Sequence, residues 1–173
     1  GVKLRVEVQS LLKEKQAAGL LVPTIATQIE QASLSLDEAH EQLERDPRTA
    51  LKLGQQVQAG LGRARAELQQ LAATQQQADA ELAKLGGLVR QVEEAIETQS
   101  RAGLLVKTAE QNLTQHLELI EEARSRLRTE PTRALSQAVE AEDGLKLALE
   151  ELANLPKVRQ QMQDTALAVR KLE

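Results

Sequence analysis

Between Pro47 and Arg101 the chain reads PRTALKLGQQVQAGLGRARAELQQLAATQQQADAELAKLGGLVRQVEEAIETQSR. Its apolar and small residues fall at Ala50, Gly54, Val57, Leu61, Ala64, Leu68 and Leu71, then at Ala78, Leu82, Leu85, Val89, Val92 and Ile96. The steps alternate between four and three, and only Gln75 turns the stripe polar. That spacing holds one face toward a neighbour along a single helix about 80 Å long, at 1.5 Å per residue.

Comparing the chain with itself explains the length of that stretch. Pro47 and Pro131 stand 84 residues apart in similar settings. At the same offset Ala18-Gly19-Leu20-Leu21-Val22 returns as Ala102-Gly103-Leu104-Leu105-Val106. Ala39, Leu43, Ala50, Leu51, Gly60 and Leu61 return as Ala123, Leu127, Ala134, Leu135, Gly144 and Leu145. The chain is a tandem duplication without gaps.

Each unit reads as three helices. The first carries Leu4, Val8, Leu11 and Leu12; its start alternates like a strand, but Leu88 and Val92 hold the same repeat positions inside the long helix. Gly19 and Gly103, each followed by Leu, fit left-handed glycine stops. Pro23 disfavours helix at Val22, so Thr24 is the expected cap of the next helix, with Thr108 and Gln111 at capping-box spacing in the second unit. The second helix then follows a seam through Val22, Ile25, Ile29, Ala32, Leu36, Ala39 and Leu43, repeated as Val106, Ala109, Leu113, His116, Ile120, Ala123 and Leu127. Asp46-Pro47 and Glu130-Pro131 close it as N-cap and N1 of the third helix.

In the second unit the third helix shows Ala134, Ala138, Ala141, Leu145, Ala148, Leu152 and Leu155. Pro156 is expected to kink or end it, after which Met162, Ala166 and Val169 keep the phase. The expected organisation is therefore 1–71 as a first repeat with a truncated first helix, 72–155 as a second, and 156–173 as the start of a third. Gln75 and Arg159 share one repeat position at the joint, and Gly86-Gly87 follow, each costing about 1 kcal/mol against Ala. The joint reads as a hand-over between bundles, with a functional hinge as the alternative. A rival threading runs the long helix through Gly103 to Arg128 and gives hairpins that dimerise as coiled coils.

Composition narrows the function classes. With no Phe, Tyr or Trp and one Met among 173 residues, the apolar inventory suits narrow helix seams rather than a deep core around a pocket. The net charge is −4 with both signs interspersed, which gives no field to attract nucleic acid. Cysteine is absent, so neither disulfides nor thiolate metal sites form. No run approaches the roughly 18 apolar residues that cross a bilayer. The chain begins with Gly, and the expectation is a fragment of a longer protein.

No phosphate loop, activated nucleophile or paired carboxylate site appears, so no catalytic, cofactor-binding or metal-ligating residues are assigned and no enzyme activity or cofactor is expected. His116 lies on the stripe where the other unit has Ala32, without metal-ligand partners at helical spacing among Glu118, Glu121 and Glu122. His40 lies on the polar face. Arg124, Arg126, Arg128 and Arg133 cluster where the second helix ends, as ordinary complements of its dipole or as an anion or acidic-lipid site. The glutamines at 75–77 and at 160, 161 and 163 read as solvated helix surface.

Two three-helix units sharing a continuous helix resemble spectrin-type repeats, although the aromatic landmark of those repeats is absent. Leu43-Glu44-Arg45-Asp46-Pro47-Arg48-Thr49-Ala50-Leu51 and Leu127-Arg128-Thr129-Glu130-Pro131-Thr132-Arg133-Ala134-Leu135 are similar to an acidic-Pro-x-x-Ala-Leu pattern in the bacterial septation-ring regulator family. The resemblance implies a cytoplasmic rod tethered to a membrane by a segment outside this stretch. The expected fold is all-α: tandem three-helix, spectrin-like bundles forming an elongated rod. The expected function is a non-catalytic scaffolding spacer with protein partners on its polar faces. The alternatives are a lipid-surface helical protein and a coiled-coil segment forming a homodimer.

Overall fold

The computed structural model describes residues 2–170; Gly1 and residues 171–173, the last three of the expected 156–173 segment, lie outside it. The described residues form five helices and no strand: α1 (Val2–Ala17), α2 (Pro23–Gln42), α3 (Pro47–Arg101), α4 (Lys107–Arg126) and α5 (Pro131–Arg170). The alternating start of α1 is helical. Two compact units result. Unit 1 holds the chain up to Gln77 together with Leu127–Thr132; unit 2 holds Ala78–Arg126 and the chain from Arg133 onward. Helix α3 runs unbroken through Gly86-Gly87 and contributes to both.

Both glycine stops form, which eliminates the threading through Gly103. Gly19 has φ +96° and Gly103 φ +72°. At the first stop Leu20 N–H donates to Lys15 O at 3.0 Å and Gly19 N–H to Gln16 O at 2.9 Å; at the second, Leu104 N–H donates to Gln99 O and Gly103 N–H to Ser100 O at the same distances. This pair of bonds satisfies carbonyls that a helix end leaves open, and only a residue tolerant of positive φ allows it.

The threonine caps do not form as expected. Pro23 itself is the first residue of α2, and Val22 precedes it at φ −131° with no side-chain cap bond. Thr24 is therefore already inside the helix. Lys107 opens α4 at the equivalent place, so Thr108 is inside as well. Proline's fixed φ suits the first helical turn, where its missing N–H has no partner to lose. At α3 the expected cap is present: Asp46 accepts from Thr49 N–H at 3.2 Å and from the Thr49 hydroxyl at 2.7 Å.

Unit 1 is built on one core drawn from three helices. Val8 of α1, Ile25, Ile29 and Leu36 of α2, and Val57, Leu61, Ala64 and Leu68 of α3 are its buried residues, with Leu20 sealing the Gly19 end. Burying a side chain such as Leu61 or Leu68 stabilises by about 2 kcal/mol. Unit 2 buries Ala78, Leu82, Leu85, Val92 and Ile96 of α3, Ala109, Ile120 and Ala123 of α4, and the alanine stripe with Leu145 and Leu152 of α5. Alanine at those positions lets backbones approach closely where aromatic bulk is lacking.

Pro156 does not end α5, which continues to Arg170. The proline is exposed, so the carbonyl that loses its N–H partner can turn toward water. Beyond it the seam positions stay uncovered: Met162 is 67% and Val169 51% exposed.

Candidate functional site

The two helix-terminal turns of unit 1 meet. Arg128 Nε donates to Gly19 O at 2.9 Å, and Leu21 N–H donates to Arg128 O at 2.8 Å. Neighbouring arginines are also engaged: Arg124 pairs with Glu121 at 2.6 Å and Arg126 with Glu122 at 2.9 Å. Of the four arginines in the cluster read from the sequence, Arg124 and Arg126 thus lie in helix-surface ion pairs and Arg128 in a backbone clasp. Such exposed pairs each contribute at most about 1 kcal/mol.

His116 is half-buried against Gly144 of α5, where an added Cβ would overlap the imidazole ring. In unit 1 the counterparts Ala32 and Gly60 leave that space open, and nothing lies within 4 Å of a Cβ at Gly60. The histidine on the stripe is therefore a packing element seated over a glycine. His40 turns its Nδ1 back to Leu36 O at 3.0 Å. Among the described residues no group of three or more His, Asp or Glu is placed to hold a metal ion.

Gln137 of α5 is buried, donating to Glu122 Oε2 at 2.8 Å while its Oε1 has no partner. Its counterpart in unit 1 is Leu53. On unit 2, Lys84 pairs with Glu81 at 2.8 Å and Lys146 with Glu142 at 2.7 Å. The hydrogen bond that Lys84 donates to Glu81, and then the Glu81 charge, raises the Lys84 ammonium above its ordinary value; Glu142 does the same for Lys146. Lys84 also feels Glu142 directly, which places that turn of α3 beside α5.

An apolar groove of about 540 Å³ on unit 1 is lined chiefly by Leu36, Ala39 and Leu43 and by Ala50, Leu51 and Gly54, together with Val2. Leu43, expected on the buried seam, is 58% exposed among the described residues. His40 is the groove's only titratable side chain, so its chemistry is apolar contact rather than catalysis. Sequence periodicity marks these residues as seam without telling that the seam is open; the bulk of His116 opposite Gly144 was the legible sign of the other close approach.

No family model, no curated protein and no solved structure matches this chain. Among the described residues no helix is long and apolar enough to cross a membrane.

Proposed function

We propose that this chain is a non-catalytic structural or scaffolding spacer, a module of a longer protein, whose two copies are tandem three-helix units of spectrin-like kind. The observation that carries this reading is α3: one 55-residue helix that supplies buried residues to both units. On this reading a shared helix, rather than a separate linker segment, joins one unit to the next. The glycine stops and the Asp46 cap, which fix where each helix ends, support it. On this reading protein partners dock on the polar faces, and the module works in the cytoplasm, held near a membrane by a segment of the longer protein.

Small-angle scattering on the monomer tests the reading. A globule of this length has a radius of gyration of about 16 Å. An extended spacer gives a value well above that with a rod-like cross-section regime; a value near the globular one overturns it. Vesicle flotation separates the lipid-surface alternative, since a spacer stays with the soluble fraction.

A further inference from the structure

Aligning the two copies separates what both keep from what only one has. The turn joining the second helix to the third keeps Leu43 as Leu127, Pro47 as Pro131 and Ala50 as Ala134. Around that frame His40, Gln42, Glu44 and Arg45 give way to Arg124, Arg126, Arg128 and Thr129. The second copy alone therefore sets arginines on alternate residues running into a hydroxyl.

The alternation is the informative part. Arg124 and Arg126 lie in α4, where residues two apart do not share a face, so complementing the helix dipole does not call for that spacing. In an extended chain residues two apart point to the same side, and the arginines then line one edge. Thr129 is the only Ser or Thr of the sequence with arginine both three and five residues before it. Ser136, with Arg133 three before it, lies inside α5, and Ser125 donates its hydroxyl to Glu122 O at 2.7 Å. Thr129 is exposed, in the turn that follows the last residue of α4, Arg126. The pairs Arg124–Glu121 and Arg126–Glu122 that dress the end of α4 are surface pairs, which hold weakly. The last turn of a helix held in that way opens readily into an extended segment.

We propose that Thr129 is the phosphoacceptor of a protein kinase that selects arginines before its target hydroxyl, and that the phosphate releases the clasp on the Gly19 turn. Kinases of that kind read a charge pattern along the substrate. In the transfer the Thr129 Oγ attacks the γ-phosphorus of a magnesium-bound nucleoside triphosphate. The bond to the β–γ bridging oxygen breaks, the nucleoside diphosphate leaves, and the hydroxyl proton passes to a carboxylate of the kinase.

The effect follows from what adjoins the new group. A phosphate adds a charge of about −2 and three acceptor oxygens. It stands one residue from Arg128 and two before Pro131, the first residue of α5, where the helix dipole favours an anion. Arg128 Nε donates to the Gly19 carbonyl at 2.9 Å, a neutral acceptor. A phosphate offers the same guanidinium charge-assisted, two-pronged bonds, which are stronger. The side-chain clasp then opens, and the bond from Leu21 N–H to Arg128 O is left to tie the Gly19 turn. Phosphorylation thus sets how firmly that turn is held, whether or not the chain is a spacer.

The full chain is incubated with an arginine-directed Ser/Thr kinase and magnesium ATP, and phosphate is mapped by mass spectrometry. Thr129 is the expected principal site, with Ser136 unmodified. Arg124→Gln/Arg126→Gln, which removes only surface pairs, slows incorporation roughly tenfold or more while circular dichroism shows unchanged helix. Hydrogen exchange then reads the clasp: in the phosphorylated chain the Leu21 amide exchanges about fivefold faster. Arg128→Ala reaches the faster rate without phosphate, and phosphorylating that variant adds nothing further. A chain left unmodified at Thr129, incorporation indifferent to the two arginines, or a Leu21 rate unchanged by phosphate overturns the proposal. Scattering from the unmodified chain tests the spacer reading separately.

Discussion

Arg128 and Gly19, 109 residues apart in sequence, clasp each other: the Arg128 Nε donates to the Gly19 carbonyl at 2.9 Å, and a Cβ at Gly19 would stand 3.4 Å from that same nitrogen. Gly19→Ala is strained by φ +96°, while its Cβ would only touch the guanidinium at ordinary contact distance. We expect it to destabilise by about 1–3 kcal/mol. Arg128→Ala removes one exposed hydrogen bond and costs about 1 kcal/mol or less. Urea denaturation should show that order, and the double variant should lose less than the sum. Equal or reversed costs contradict the clasp.

His116 and Gly144 form the second coupled pair. Gly144→Ala alone is expected to destabilise, because the imidazole must leave its seat over the backbone. In the His116→Ala background the same change should stabilise by about 1 kcal/mol, the ordinary helix gain of Ala over Gly. A double-mutant cycle in urea reads this sign reversal directly. If Gly144→Ala has the same effect in both backgrounds, the ring does not pack there.

Gln137 carries an orphaned oxygen in a buried position, and the first copy uses Leu53 at the same place. Gln137→Leu should raise stability by about 1–2 kcal/mol by removing an unpaired polar atom. Glu122 keeps its Arg126 partner in that variant. A lowered melting temperature would show that Gln137 is satisfied in solution.

Asp46 gives a pH dependence of defined sign. The Thr49 hydroxyl, and then the Thr49 N–H, hold its carboxyl below the ordinary 3.8. The unfolded chain thus binds this proton first as pH falls, so the cap's contribution is complete above 3.8 and fades as pH drops through the lower folded value. Asp46→Asn keeps the cap without the charge and should flatten that part of the acid unfolding curve. An unchanged acid limb would mean the carboxylate is not bound in this way.

Much of this architecture was legible in the residues, because the strongest signals are local. Gly19, Gly103 and Pro47 act within a few residues of themselves, and the three-four spacing of α3 and α5 marks the faces that are buried. Where the reading missed, a second local rule or a distant partner decided. Thr24 and Thr108 look like caps, but Pro23 and Lys107 already start the helices; at Pro23 the ring-fixed φ suits the first turn, whereas nothing in the structure explains the start at Lys107. Pro156 lies where water can replace the lost bond, so the helix continues. Leu43, Met162 and Val169 have seam spacing yet lie exposed, since periodicity records which face can be buried and not whether anything covers it. The Arg128–Gly19 clasp has no signature in either segment alone.

The central claim is that one helix belongs to both units. The chain contains no cysteine, so spin labels can be placed cleanly at exposed Gln56 and Glu94, on either side of Gly86-Gly87. A continuous helix between them gives a narrow distance distribution near 57 Å, about 1.5 Å per residue. Electron double-resonance on the doubly labelled protein should show that single peak. A broad distribution, or one much shorter, would mean the helix breaks at the glycine pair and would contradict the account.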